Sequence, residues 1–124
     1  MMKQDTMIYQ TIESFGLPVY ADELSESEEQ ELVNDMYNCI IIETGNMSNP
    51  TGRTVTQDFF IYYITEHEQD IDYKTVELIT LLSQIEALNF KLTKKERLQI
   101  KDTDRYVDRV AFLFKRVIKV GCHV

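Results

Sequence analysis

The residues best able to do chemistry in this chain are Glu66-His67-Glu68 and Cys122-His123. A histidine between carboxylates could hold a metal or pass a proton, and a Cys-His pair could supply two metal ligands or a thiolate with its base. Neither pattern has the spacing such chemistry needs. His67 follows a strand-like run, and successive strand residues point to opposite faces, so three consecutive side chains cannot converge on one ion. No second ligand pair stands near Cys122 and His123 in the sequence. Cys39 and Cys122 both lack the local surroundings of nucleophilic cysteines. The four glycines fall in no phosphate-cradling spacing. Residues 22–35 hold seven acidic residues and no base, but without the alternating ligand ladder and central glycine of a calcium loop. The expectation is no enzymatic activity, no cofactor and no metal, with His67 at the surface and residues 22–35 a solvated acidic loop.

The elements that would position any site are clearer. Residues 5–15 place Met7, Ile8, Thr11, Ile12 and Phe15 at helical spacing, with Asp5 as N-cap and Gly16 and Pro18 as stop signals. A short strand follows at residues 17–22. The three isoleucines Ile40, Ile41 and Ile42 predict a strand over residues 36–45 that is buried on both faces. The turn formers of residues 46–53 predict a loop. Residues 54–64 are a long strand, with Val55, Phe59, Ile61 and Tyr63 on one face and Phe60, Tyr62 and Ile64 on the other. The two strands pair as an antiparallel hairpin.

Residues 70–89 predict a helix capped by Asp72 and closed by Asn89, with Tyr73, Val76, Ile79, Leu82, Ile85 and Leu88 as its buried stripe. The basic run at residues 91–97 reads as a helix-end charge complement or a solvated loop. A strand around residues 97–101, a turn at 102–105 and a long strand at 106–119 complete the chain. In that last strand Val110, Phe112 and Phe114 share one parity, and Val107, Ala111, Leu113 and Val117 the other. The fold class is α+β: one domain over residues 1–124, with an antiparallel sheet of about four to five strands and two helices mainly on one face.

Composition bounds the function classes. The chain has 124 residues, 44% hydrophobic and 27% charged, ordinary for a globular domain. No apolar run reaches the roughly 20 residues of a membrane helix, and residues 1–10 show no signal pattern. Two cysteines fit a reduced, cytoplasmic protein. The net charge of −8 conceals a division: residues 1–72 hold 15 acids against Lys3 and Arg53, whereas residues 73–124 hold 6 acids against 11 bases. Either the halves separate and the molecule is bipolar, or they interleave and the charges cancel locally. The acidic total argues against nucleic-acid binding by a basic footprint.

Strands 54–64 and 106–119 are apolar on both faces, and two helices can cover only one. Subunit packing would cover the other. Phe60, Tyr62 and Ile64 are the interface candidates on that second face. Lys94 and Lys95 are candidates from the basic half, and Arg53 from the hairpin tip.

This order of elements, with "FGLPVYADEL" as helix end and short strand, then a long hairpin, a helix and a final strand pair, resembles the tail terminator, tail completion and head-to-tail joining proteins of long-tailed bacteriophages. The resemblance spans nearly the whole chain as a pattern of elements. It implies a non-enzymatic virion protein that forms a homo-hexameric ring at the end of the tail tube. Its partners would be its own copies, the tail tube and head-connector proteins, without membrane or sequence-specific nucleic acid. Its place would be the virion tail or neck, and the host cytoplasm during assembly. A competing reading, resting on residues 22–35, is a small acidic binding or regulatory module such as an inhibitor or nucleic-acid mimic. Self-association separates the two.

Overall fold

The computed structural model describes residues 2–21, 38–48, 54–66, 69–100 and 104–119. These form helix α1 (Met2–Glu13), strands β1 (Val19–Ala21), β2 (Asn38–Ser48) and β3 (Thr54–Thr65), helix α2 (Ile71–Leu82), and strands β4 (Leu88–Gln99) and β5 (Tyr106–Lys119). The fold is α+β, with one five-stranded sheet in the order β1-β2-β3-β5-β4. Every pairing is antiparallel except that of β1 with β2, which is parallel. The expected antiparallel sheet of four to five strands is borne out apart from this one parallel edge pair. A parallel pair cannot be joined by a tight turn, and residues 22–37 make the connection.

Helix α1 forms because Ile8 and Ile12, one turn apart, both become fully buried on the sheet. It ends where Gly16 takes φ +90°, a left-handed conformation in which a Cβ is disfavoured. Asp5 is not its N-cap. It lies inside the first turn, and its carboxylate pairs with Arg116 of β5. Strand β2 runs on to Ser48, beyond the residue 45 limit read from sequence, through a bulge between Thr44 and Met47. Gly45 sits in that bulge. A Cβ there would lie 2.9 Å from the Phe60 ring and 3.1 Å from the Asp58 Cβ, so this close approach requires glycine.

Helix α2 differs from its sequence reading in face and length. Its buried residues are Ile71, Leu78 and Leu82, whereas Tyr73 and Val76 are 72% and 60% exposed. The helix carries apolar residues on two sides, and contact with the sheet selects the second set. It stops at Leu82, with Ser83 as C-cap, so Asn89 does not close it. Ile85 and Leu88 are nonetheless buried, because the chain turns under the helix and reverses at Ala87, φ 65°. The amide of Val117 donates to the Ala87 carbonyl at 2.9 Å and fixes that reversal. Asp70 occupies the N-cap position, and Asp72 instead accepts from Lys95 Nζ at 2.9 Å.

The basic run at residues 91–97 is neither loop nor helix end: it lies inside β4, the outer strand beside β5. Its lysines hid the strand because an edge strand needs no apolar alternation, and charges there discourage pairing with foreign strands. Strand β5 spans residues 106–119 as expected.

Both helices pack on the same sheet face. Ile8 and Ile12 of α1 and Leu78 and Leu82 of α2 share one core with Ile40, Ile61, Tyr63, Phe112 and Phe114 of the strands. A polar chain runs through one end of this core. Arg116, 4% exposed, pairs with Asp5 and donates from Nε to Gln57 Oε1 at 2.9 Å. Gln57 Nε2 in turn donates to the Gly45 carbonyl at 3.3 Å. A buried guanidinium is tolerable only with such partners.

Candidate functional site

The second face of the sheet is the candidate site, and strand alternation builds it. With Phe59, Ile61 and Tyr63 turned into the helix-side core, Phe60, Tyr62 and Ile64 must point the other way. Register then sets their neighbours, since directly paired residues share a face. Across the sheet, Ile41, Tyr62, Ala111 and Lys94 form one row, and Glu43, Phe60, Leu113 and Leu92 the next. Cys39, Ile64, Arg109 and Glu96 form a third, while Asp58 faces Lys115 in a fourth.

The rows differ in cover. At one end, Cys39 and Val107 are buried together with Ile100, and Tyr20, Ile41 and Ile64 pack against them. Burial pushes the Cys39 thiol up to about 12, which keeps it protonated and unsuited to nucleophilic work. The centre is open. Phe60, Tyr62 and Leu113 are only half-buried, and Leu92 is 53% exposed. Among the described residues, no helix lies on this side. The sequence expectation that Ile41 is buried on a strand closed on both faces is corrected: Ile40 and Ile42 are core, and Ile41 is half-buried on the open face.

The open face is ordered rather than loose. The rings of Phe60 and Tyr62 stack, with centroids 6.3 Å apart and planes at 10°. The Arg109 guanidinium lies 5.2 Å from the Tyr62 ring centroid, a cation–π contact. Arg109 is itself held by Glu96, with Nε donating to Oε1 at 3.1 Å. Lys115 lies 3.4 Å from Asp58. The Tyr62 hydroxyl is held above its usual pKa, first by burial and then by the charge of Glu43, with Arg109 partly opposing both. It stays a neutral donor and acceptor at physiological pH.

Of the interface candidates, Phe60, Tyr62 and Ile64 come together on this face, and Lys94 lies in the Tyr62 row. Lys95 does not join them. It points to the helix side, where it pairs with Asp72. Arg53, His67, Cys122 and His123 lie outside the described residues. Sequence reasoning missed Leu92 and Arg109; treating residues 91–97 as a strand would have placed Leu92 beside Leu113. Glu66 is buried and clasped by Arg105, with bonds of 2.7 and 2.6 Å.

The charge division takes an intermediate form. Strands of the acidic half lie on one side of the β3–β5 seam and strands of the basic half on the other. Among the described residues, four ion pairs join the halves: Asp5–Arg116, Asp58–Lys115, Glu66–Arg105 and Asp72–Lys95. These four pairs cancel part of the charge across the seam.

Among the described residues, no group of three His, Cys, Asp or Glu side chains could hold a metal ion, and no helix is long and apolar enough to cross a membrane. This face offers apolar area, stacked rings and rim charges, the features of a surface that binds protein. No protein-family model matches the chain, and no curated protein matches it.

Proposed function

We propose that this protein is a structural assembly subunit that associates with copies of itself through the open sheet face. Its working form is a homo-hexameric ring of the kind formed by phage tail terminator and head-to-tail joining proteins. The ring would sit at the end of a tail tube and meet tail-tube and head-connector proteins, in a role that is not enzymatic. The observation that carries the reading is the row of half-buried Phe60 and Leu113 and exposed Leu92 beside Tyr62, opposite the face that both helices occupy. The element pattern described above supplies the ring and the phage setting.

Apolar contact would provide most of the affinity. Exposed charge pairs add little each and are screened beyond ~8 Å at physiological salt, so they would mainly set register and rate. Sedimentation velocity over a range of concentrations tests this. The expected result is growth from monomer to a species of about six subunits, reached more slowly in high salt. A protein that remains monomeric at every concentration and salt would remove the self-assembling ring.

A further inference from the structure

A ring needs two unlike surfaces on each subunit, since only a heterologous contact repeats around a rotation axis. The open sheet face is one. The other is on the opposite side of the molecule. Tyr73 and Val76 are the two most exposed large apolar residues among the described residues. At positions three apart they lie on the same side of α2, directly away from Ile71, Leu78 and Leu82, which pack on the sheet. Thr80, one turn further, donates its hydroxyl to the Val76 carbonyl at 2.8 Å. Its polar group is thereby satisfied and its methyl extends the ridge. Glu77 is exposed beside Tyr73 at the next turn.

We propose that the α2 ridge of one copy, Tyr73, Val76 and Thr80, packs on the open sheet face of the next copy, with Glu77 beside Lys94. This rests on the self-assembly reading and deepens it by naming both halves of the contact. Shape and charge agree. The row Tyr62–Ala111–Lys94 has its smallest member between a ring and a cation. Ala111 leaves room for an incoming side chain, and Leu113 and Leu92 supply an apolar floor alongside. The ridge carries an acid, and this flank of the face carries Lys94. A helix laid on the second face also repeats the packing that α1 and α2 already make on the first. Because ridge and face lie on opposite sides of one subunit, the contact is head-to-tail.

Complementation between defective copies tests it. Tyr73→Asp with Val76→Asp removes the ridge, and Tyr62→Asp removes the face. Leu92→Asp, at a more exposed position of the same face, serves if Tyr62→Asp does not fold. Each variant alone should be a folded monomer by circular dichroism and sedimentation, its association weakened about a hundredfold or more. Mixed in equal amounts, the two should form a dimer and nothing larger, because one intact ridge meets one intact face. Glu77→Lys should slow assembly, and Lys94→Glu in the same chain should restore it. If the wild type assembles and the ridge variant assembles equally well, the ridge assignment is wrong while self-assembly stands. If both variants are monomeric and their mixture stays monomeric, the ridge does not meet the face and the head-to-tail contact is wrong. A monomeric wild type overturns this inference together with the reading beneath it.

Discussion

Phe59, Ile61 and Tyr63 are buried beneath two helices, while one residue along the same strand Phe60, Tyr62 and Ile64 are only half-buried. Strand β5 repeats the contrast, with Phe112 and Phe114 buried and Leu113 between them half-buried. The same backbone ladder serves both sides, so the difference comes from what is laid on the sheet. The helix side is closed by apolar packing and tied at one end by Arg116. The open side arranges its rings and charges in rows with no such cover among the described residues. Side-chain composition makes both faces apolar, and topology decides which one becomes core. Topology leaves the second face, with its half-buried Phe60, Tyr62 and Leu113 and exposed Leu92, without a helix among the described residues.

The sharpest way to break this comparison is one substitution on each face at adjacent positions. Ile40→Asp would bury an unpaired carboxylate in the core, costing several kcal/mol out of a total of roughly 5–15 kcal/mol, and should abolish folding. Ile41→Asp should leave a folded protein, destabilised by about 1–2 kcal/mol. Urea denaturation followed by circular dichroism distinguishes them, and equal losses would mean the two faces are equally closed.

Next in size is the polar tie on the helix side. Asp5→Ala leaves the buried Arg116 guanidinium with Gln57 but without its carboxylate. Because Asp5 is partly exposed, the loss should fall at the lower end of the roughly 3–5 kcal/mol typical of a broken buried pair. Arg116→Met with Asp5→Leu, which removes both charges, should recover much of it. A double variant no more stable than Asp5→Ala would show that the stranded Arg116 charge is not the source of the loss.

Cys39 probes the closed end of the open face. Its thiol ionises near 9.0 when unperturbed and at about 12 in the fold. Between those values the unfolded chain has lost a proton that the folded chain keeps, so stability is full below the lower value and declines as pH rises toward the upper. Denaturation at about pH 8 and about pH 10.5 should show a larger loss for the wild type than for Cys39→Ala. An identical loss would mean that Cys39 is not closed off. The smallest effect expected is that of Lys95→Ala. Its pairing with Asp72 is exposed at both ends, so thermal melting should register ~0–1 kcal/mol.

Much of this contrast is legible in the sequence. The strict alternation of residues 54–64 and 106–119 gives both strands and both faces, and the run Ile40–Ile42 gives their partner. Gly16 and Pro18 mark the end of α1. Two features are hidden for physical reasons. Helix α2 has apolar residues on opposite sides, so spacing alone places Leu82 in the core but cannot tell Tyr73 and Val76 from Ile71 and Leu78; only the sheet decides. Strand β4 is read only around residues 97–101, and its first part, residues 91–97, as a loop or helix end, because its long outer edge is guarded by lysines. Missing the first part of β4 conceals Leu92 and Glu96, and puts Lys94 and Lys95 together when alternation separates them. The parallel pairing of β1 depends on a connection whose course no local pattern specifies.

The central claim is that the open face is where copies of this chain meet. Sedimentation velocity of the wild type and Tyr62→Asp, at matched concentrations and with folding verified by circular dichroism, tests it most directly. The account predicts an oligomeric wild type and a folded, monomeric variant. A Tyr62→Asp protein that assembles as the wild type does would contradict it.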